Sequence, residues 1–362
     1  MSENIAVSIV VPVYNAKIHI KNCIKNLLDQ NFKELVEIIM VDDASSDESF
    51  DLIKKFKIPN LRLFKLDKNS GASVARNKGI LESKGEYIYL MDVDDSIDEN
   101  ALKNLYLKAK QDNCDFVFSD FKRILNSKNE RDNTYNYDAD KRFDRAELLK
   151  NMQREINDPS LGHLGLFGCN GRLIKRSIIK INKICFAEKL RFLEDKTFCW
   201  DLFGKIKSAR YIRKQLYSYH VYPDVPTAIT KSINHGFKIE YFELVTKRIK
   251  KSFQSFGLDS SKIQKLVDQG LIFYIITLLV SYSRSIAMGK VEKKEGKKIR
   301  GQIINEILQD KNIKKAIKNY NPSKKESHWI PRAMNFGSRF FLELACDYRA
   351  RQVINRRGTG QE

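Results

Sequence analysis

The sequence predicts an α/β protein: a mostly parallel sheet with helices on both faces, joined to a C-terminal all-α region. Three observations carry that expectation. Short β-branched and aromatic runs alternate with helix-spaced apolar residues through the first 120 positions, the pattern of a sheet built from crossover units. Each strand-like run ends in a polar cluster, at the edge where parallel sheets bind their ligands. Beyond about residue 230 the strand pattern stops and Lys-rich helical periodicity takes over. The expected division is therefore an α/β domain over 1–230 and a basic helical accessory domain over 231–362.

In chain order, Ala6 to Val13 reads as a buried strand, interrupted by Pro12 near its end. Ile20, Cys23, Ile24, Leu27 and Leu28 follow at helical spacing. Val36 to Val41 predicts a second strand that runs into Asp42-Asp43-Ala44-Ser45-Ser46-Asp47, where Ser46 or Asp47 can cap the next helix. Leu61 to Leu66 predicts a third strand. A loop containing Gly71 leads from it into a helix over Ala72 to Ser83. Tyr87 to Met91 predicts the fourth strand and Asp115 to Phe121 a later one, whereas polar Ser127 to Asp144 reads as a loop.

The fourth strand runs straight into Asp92-Val93-Asp94-Asp95. In extended geometry Asp92 and Asp94 would share a face. Two such carboxylates repel unless a positive group lies between them, and hard cations such as Mg²⁺ or Mn²⁺ take oxygen ligands of this kind. The same residues also suit an Asp-rich turn before the helix that begins near Asp98. No Gly-x-Gly-x-x-Gly follows the first strand and no Gly-Lys-Ser/Thr loop occurs. The glycine cradles of dinucleotide folds and P-loops are thus missing.

Composition narrows the alternatives. The chain is 42% hydrophobic and 30% charged, which is globular rather than disordered. Its six cysteines form no Cys-x-x-Cys pair, so they read as reduced thiols of a cytoplasmic protein. The N-terminal apolar run lacks the basic residues and cleavage site of a signal peptide. Leu271 to Val280 is about half of the ~20 residues a membrane span needs. Net charge is +20, yet residues 1–100 hold 13 Lys+Arg against 17 Asp+Glu, so the excess lies in the remainder. A basic second half favours an anionic partner or a set of solvated helices. The acidic first hundred residues and the lack of basic-aromatic motifs argue against nucleic acid.

Four segments then fall into register: Val10-Val11-Pro12-Val13-Tyr14-Asn15, Val41-Asp42-Asp43-Ala44-Ser45, Gly71 with Ala75-Arg76-Asn77-x-Gly79, and Asp92-x-Asp94-Asp95. Their order and spacing resemble the family 2 glycosyltransferases, strongly over residues 5–125 and loosely over 165–230. The resemblance implies a GT-A fold and an inverting, metal-dependent enzyme. It would move a sugar from a UDP-sugar to a hydroxyl of a growing glycan or lipid-linked acceptor, such as capsule or lipopolysaccharide. It implies that Pro12, Tyr14 and Asn15 line the nucleotide pocket and that Asp43 or Asp42 accepts the uracil N–H. Asn69 and Arg76 would hold the nucleotide. Asp92 would face ribose or metal, and Asp94 would bind a Mn²⁺ or Mg²⁺ on the diphosphate.

Further along, Gly162 to Gly171, containing His163, leads to Arg172-Leu173-Ile174-Lys175. In the family a similar segment lies beside the donor sugar, which implicates Arg172. Glu194-Asp195 opens a helical pattern through Phe203, where an acidic pair is favourable in any helix. By resemblance Asp195 is the catalytic base and Glu194 orients it or the substrate. Leu216 to His220, with Thr227 to Thr230, resembles the family's last donor-site segment, and His220 would reach phosphate or metal. A sugar nucleotidyltransferase is the competing enzyme and would need no base at residue 195. Arg332 to Arg351 reads as one cationic amphipathic helix. It would lie on an anionic membrane from the cytoplasmic side, pack on its own domain, or pair subunits into a homo-oligomer.

Overall fold

The structure is a computed structural model that describes residues 4–125, 128–131, 137–157, 168–222, 233, 238–323 and 326–358. The chain divides into two compact units. One comprises residues 1–149 and 163–222, the other 150–162 and 223–362. Residues 150–162 thus group with the helical unit, although the sequence pattern assigns them to the α/β half.

The first unit is built on a sheet in the order β3-β2-β1-β4-β9-β6-β10-β5. Its first strands are β1 (Val7–Val13), β2 (Val36–Asp42), β3 (Leu61–Lys65) and β4 (Tyr87–Leu90), and all pair in parallel. The chain steps outward from β1 through β2 to β3, then returns to add β4 on the other side of β1. That reversal opens a crevice at the C-terminal ends of β1 and β4. Beyond it lie β5 (Ser96–Ile97), β6 (Phe116–Leu125), β9 (Leu173–Lys175) and β10 (Ala209–Val221). β9 runs antiparallel between β4 and β6.

Helix α1 (Lys17–Leu28) and helix α4 (Ala101–Asp112) bury Ile20, Cys23, Ile24, Leu102 and Leu105 in one core with Val7, Ile9, Val11, Tyr87 and Tyr89. The intervening β1 residues face the other way, where α3 (Ala72–Glu82) packs against β1. That approach is close: a Cβ on Gly79 would overlap the Val10 side chain. The short α2 (Ser49–Lys55) begins two residues after Asp47. Asp47 accepts from Ser49 N at 2.9 Å and from Lys17 N at 3.0 Å, so one carboxylate serves the first turns of two helices.

Several expectations need correction. The stretch expected as a loop, 127–144, contains β7 (Lys128–Arg131), paired with β6, and β8 (Lys141–Phe143), paired with β10. Short edge strands rich in Lys and Asn carry little hydrophobic signal. Gly162, His163, Gly165 and Thr227 to Thr230 lie outside the described residues. Helices α5 (Arg145–Asn157), α6 (Arg176–Asn182) and α7 (Glu194–Phe203) follow.

The second unit holds α8 (Tyr241–Gln254), α9 (Ser260–Ala287), α10 (Lys293–Gln309), α11 (Lys311–Asn319), α12 (Trp329–Phe336) and α13 (Arg339–Gly358). The Lys-rich pattern over 293–319 forms two helices rather than one. Asp310 ends α10 and caps α11 by accepting from Ile313 N at 2.9 Å. The helix expected over 332–351 is also two, parted by Gly337 at φ +75. Helix α9 has the length and composition to cross a membrane, but 72% of its apolar window is buried inside the protein. It packs against α8, α10, α11 and α13, so it reads as the unit's core helix.

Candidate active site

The polar ends of β1, β2 and β4 meet at one edge of the sheet, and a small number of contacts there join segments a hundred residues apart. β4 stops at Leu90. Residues 92–95 form a turn in which Asp95 N donates to Asp92 O at 3.2 Å. Strand alternation therefore does not set the directions of Asp92 and Asp94, contrary to the extended-chain expectation. Protein donors reach the side chains of Asp92 and Asp95, by different partners.

Asp92 accepts from Arg76 Nη2 through Oδ1 and from Asn170 Nδ2 through Oδ2, both at 2.7 Å. Asp95 is buried. It accepts from the Tyr217 hydroxyl and, at 3.0 Å, from His220 N. Burial, then the charge of Asp92, raises its pKa well above the ordinary carboxylate value. Asp94 is raised as well, by burial first and Asp92 second, against its own backbone N–H and then His19 and His220. It is the member of the three left without strong compensation.

Arg76 is the hub. It is buried, its ring-side neighbour is Phe186 at 5.4 Å, and its Nη1 lies 3.8 Å from Glu194 Oε1. Burial opposes its charge, but Asp92 and Glu194 outweigh that and hold it protonated. One guanidinium thus spans the Asp92 turn and the start of α7. The side chain beside it in sequence fixes the same geometry. Asn77 donates to Phe186 O at 3.0 Å and accepts from Phe186 N at 2.8 Å. Phe186 in turn stacks on Phe198 of α7, with ring centroids 4.2 Å apart and planes 4° apart. Two consecutive residues of α3 therefore position the Glu194-Asp195 turn.

That turn is entered through Leu193 in the left-handed region, at φ +64. A non-glycine residue there costs of order 1–3 kcal/mol and persists where surroundings impose it. Burial, then the Asp195 charge, pushes Glu194 to about 7 against the pull of Arg76. Asp195 accepts from Lys196 N at 2.7 Å. The acidic pair expected to open a helix does so, within reach of the aspartate turn.

The remaining expected residues divide by their partners. Asn15, at φ +46, accepts from Ser46 N at 2.8 Å and Asp47 N at 3.3 Å, and its own N–H donates to Ser45 Oγ at 3.0 Å. It pins the β1 loop to the β2 loop. Asp43 accepts from Ser70 N and Gly71 N, both at 2.7 Å. Asp42 accepts from Ser45 N at 3.0 Å, while its other oxygen is buried with no hydrogen-bond partner. Of the two, Asp42 keeps the unpaired acceptor. Tyr14 is half exposed, Pro12 is partly exposed and Asn69 is exposed at the same edge. Arg172 is buried, with its guanidinium 5.9 Å from the centre of the Phe118 ring. His220 Nε2 lies 3.1 Å from Ser96 Oγ. Burial lowers its pKa, with Asp94 opposing.

Reading the sequence left Asp95, Tyr217, Asn170, Asn77 and Phe186 without roles. The glycine at 171 is one signal that was present. At φ +70, a Cβ there would sit 2.7 Å from the Tyr217 ring, so Gly171 lets that ring reach Asp95. Among the described residues no group of three His, Cys, Asp or Glu side chains could hold a metal ion. The donor set fits a cation that takes one protein carboxylate and completes its shell with phosphate and water. Asp94 has the uncompensated charge for that role, whereas both Asp92 oxygens already accept from protein donors.

A largely parallel sheet with this strand reversal places the acidic turn at the crevice where such sheets bind ligands, and the relatives define its class. The profile described as glycosyl transferase family 2 matches residues 8–182. The poly(ribitol-phosphate) β-N-acetylglucosaminyltransferase TarP of Staphylococcus aureus is 30% identical over 261 residues, 69% of this chain and 72% of TarP. The glycosyltransferase GlyG of Streptococcus pneumoniae is 30% identical over 195 residues, 53% of this chain and 63% of GlyG. The poly(ribitol-phosphate) β-glucosyltransferase of Bacillus spizizenii is 34% identical over 208 residues, 56% of this chain but 30% of that enzyme. Crystal structures of S. aureus TarS 1–349 with UDP and with UDP-GlcNAc superpose with TM-scores of 0.65 and 0.68, at 18% and 17% identity. Each covers 96% of this chain and 92% of TarS 1–349. The chain belongs to glycosyl transferase family 2 and has the GT-A fold with a helical C-terminal region.

Proposed function

We propose that the protein transfers a sugar from a UDP-sugar, with inversion, to a hydroxyl of a phosphate-containing cell-surface polymer. The observation that carries this reading is Arg76 spanning Asp92 and Glu194. Through it a donor-side acidic turn and an acceptor-side acidic pair occupy one site. The polymer follows from the relatives, two of which bear names of poly(ribitol-phosphate) glycosyltransferases. UDP as carrier follows from the TarS complexes.

Chemically, an acceptor hydroxyl is a poor nucleophile until its proton is withdrawn. Asp195 takes that proton as the new C1–O bond forms. The bond between C1 and the diphosphate oxygen breaks, and UDP leaves with the electron pair. Asp195 also faces the positive charge that develops on the sugar ring. Glu194, whose carboxyl burial and then Asp195 raise to about 7, is part protonated near neutral pH and in that form can hold the acceptor or sugar by a hydrogen bond, without giving up its proton. A Mn²⁺ or Mg²⁺ held by Asp94 would supply charge stabilisation to the diphosphate. Tyr14, half exposed, offers a ring face at the edge where the base would lie.

The test is a transfer assay with UDP-GlcNAc and UDP-glucose on a poly(ribitol phosphate) acceptor. UDP release and a β-linked product from the α-linked donor are expected. Release of pyrophosphate instead would mean nucleotidyl transfer, and an α-linked product would exclude inversion.

A further inference from the structure

We infer that the exposed face of α12 and α13 is a docking surface for an anionic lipid bilayer. Phe340, Leu344 and Tyr348 recur every four residues along α13, with Phe341 beside them, and all are more than half exposed. The opposite side of the helix buries Leu342, Cys346 and Ala350. Trp329 and Phe336 of α12 are 68% and 75% exposed, and Phe336 meets Phe341 at a ring distance of 5.9 Å. Phe336, Phe341 and Phe340 are in ring contact, and with Leu344, Tyr348 and Trp329 they make six large exposed side chains on these two helices. Patches of this kind mark interaction sites.

Charge selects the occupant. Arg332, Arg339 and Arg351 are exposed on these two helices, and the Arg332 guanidinium sits 5.9 Å from the Trp329 ring centre. Residues 223–362 carry 27 Lys+Arg against 13 Asp+Glu. A second copy would bring the same cationic face against itself, which like-charge repulsion disfavours. An anionic polymer would pair with the arginines but leave the aromatic rings hydrated. A bilayer with acidic headgroups satisfies both: the rings enter the acyl boundary and the arginines stay at phosphate level. Trp and Tyr are the residues that settle at that depth.

The experiment uses the full chain and vesicles of phosphatidylglycerol and phosphatidylcholine. The protein has two tryptophans, and Trp200 is fully buried, so Trp329 reports the patch. Co-sedimentation and a blue shift of Trp329 emission are expected with the mixed vesicles. Binding to pure phosphatidylcholine, or at 0.5 M salt, should be weaker by about ten-fold or more. Phe340→Ser with Leu344→Ser should cut binding by a similar factor while leaving transfer to a soluble acceptor unchanged. Equal binding by that double variant, no emission shift in the parent chain, or equal binding to neutral vesicles would each overturn the assignment. So would a self-associated form, seen by sedimentation without lipid, that the double variant dissolves.

Discussion

Replacing Arg76 by Gln removes a buried cation that faces both Asp92 and Glu194. The guanidinium is buried and within 2.7 Å of Asp92 and 3.8 Å of Glu194. Breaking a buried ion pair by removing one partner costs about 3–5 kcal/mol, because the other charge is left uncompensated. In a folding unit of roughly this size that is a fall in Tm of roughly 6–20 °C. The same change takes away the attraction that holds Glu194 down, so its protonation midpoint rises above about 7. Turnover should therefore fall, and its pH dependence should move upward. Arg76→Lys is the sharper control. It restores a charge near Asp92, but a single ammonium lacks the two-armed fork that reaches Glu194, so stability returns further than turnover does. Urea unfolding and UDP release across pH 5.5–9 measure both effects. A Gln variant within 1 kcal/mol of the parent, with turnover within ten-fold and an unmoved pH profile, would refute Arg76 as the link between the two acidic segments.

Four further outcomes follow from the same geometry. Asp195→Asn should leave UDP binding within a few-fold and lower kcat by about 10²–10⁴, the usual contribution of a positioned base; calorimetry and single-turnover kinetics separate the two. Asp94→Asn should abolish the effect of Mg²⁺ or Mn²⁺ on UDP binding, yet leave Tm unchanged or raised, because its charge is disfavoured by burial and Asp92. Glu194 has a folded-state pKa near 7, above its unfolded value, so it contributes stability that is present below about pH 4.5 and lost as pH rises through 7. The loss is at most about 3 kcal/mol, and Glu194→Gln should flatten that part of the Tm–pH curve. Gly171→Ala should destabilise the fold and weaken donor binding together, since its Cβ would press on the ring that holds Asp95; unchanged Tm would count against that role for Tyr217.

The strands and helices of the first hundred residues were legible because each is short and bounded by a polar cluster, and none depends on a distant partner for its pattern. Helix boundaries in the second unit were less so. Lys-rich helices on either side of Asp310 have continuous periodicity, and only the cap reveals the break. Edge strands β7 and β8 carry no apolar alternation at all. At the site, the residue types were visible but their division of labour was not. Asn15 and Asp43 look like ligand groups in one dimension, yet both are spent on backbone N–H groups of neighbouring loops. Arg172 is buried, with its guanidinium 5.9 Å from the Phe118 ring centre, a placement no local pattern gives.

The Asp92–Asp95 turn shows why that division needs the third dimension. Three identical side chains within four positions have the same intrinsic acidity, so nothing local ranks them. Partners contributed by Arg76, Asn170 and Tyr217, along with the backbone of His220, do the ranking. Two of the three carboxylates are tied up by donors that orient the surrounding walls. The third, Asp94, has its pKa raised by burial and then by Asp92, against its own backbone N–H and, less, His19 and His220. In the proposed mechanism a cation on the diphosphate would take Asp94 as its protein ligand. Neutralising Asp94 should therefore remove cation dependence without loosening the turn, whereas neutralising Asp95 should loosen Tyr217 and the β10 backbone first and affect the cation only through them.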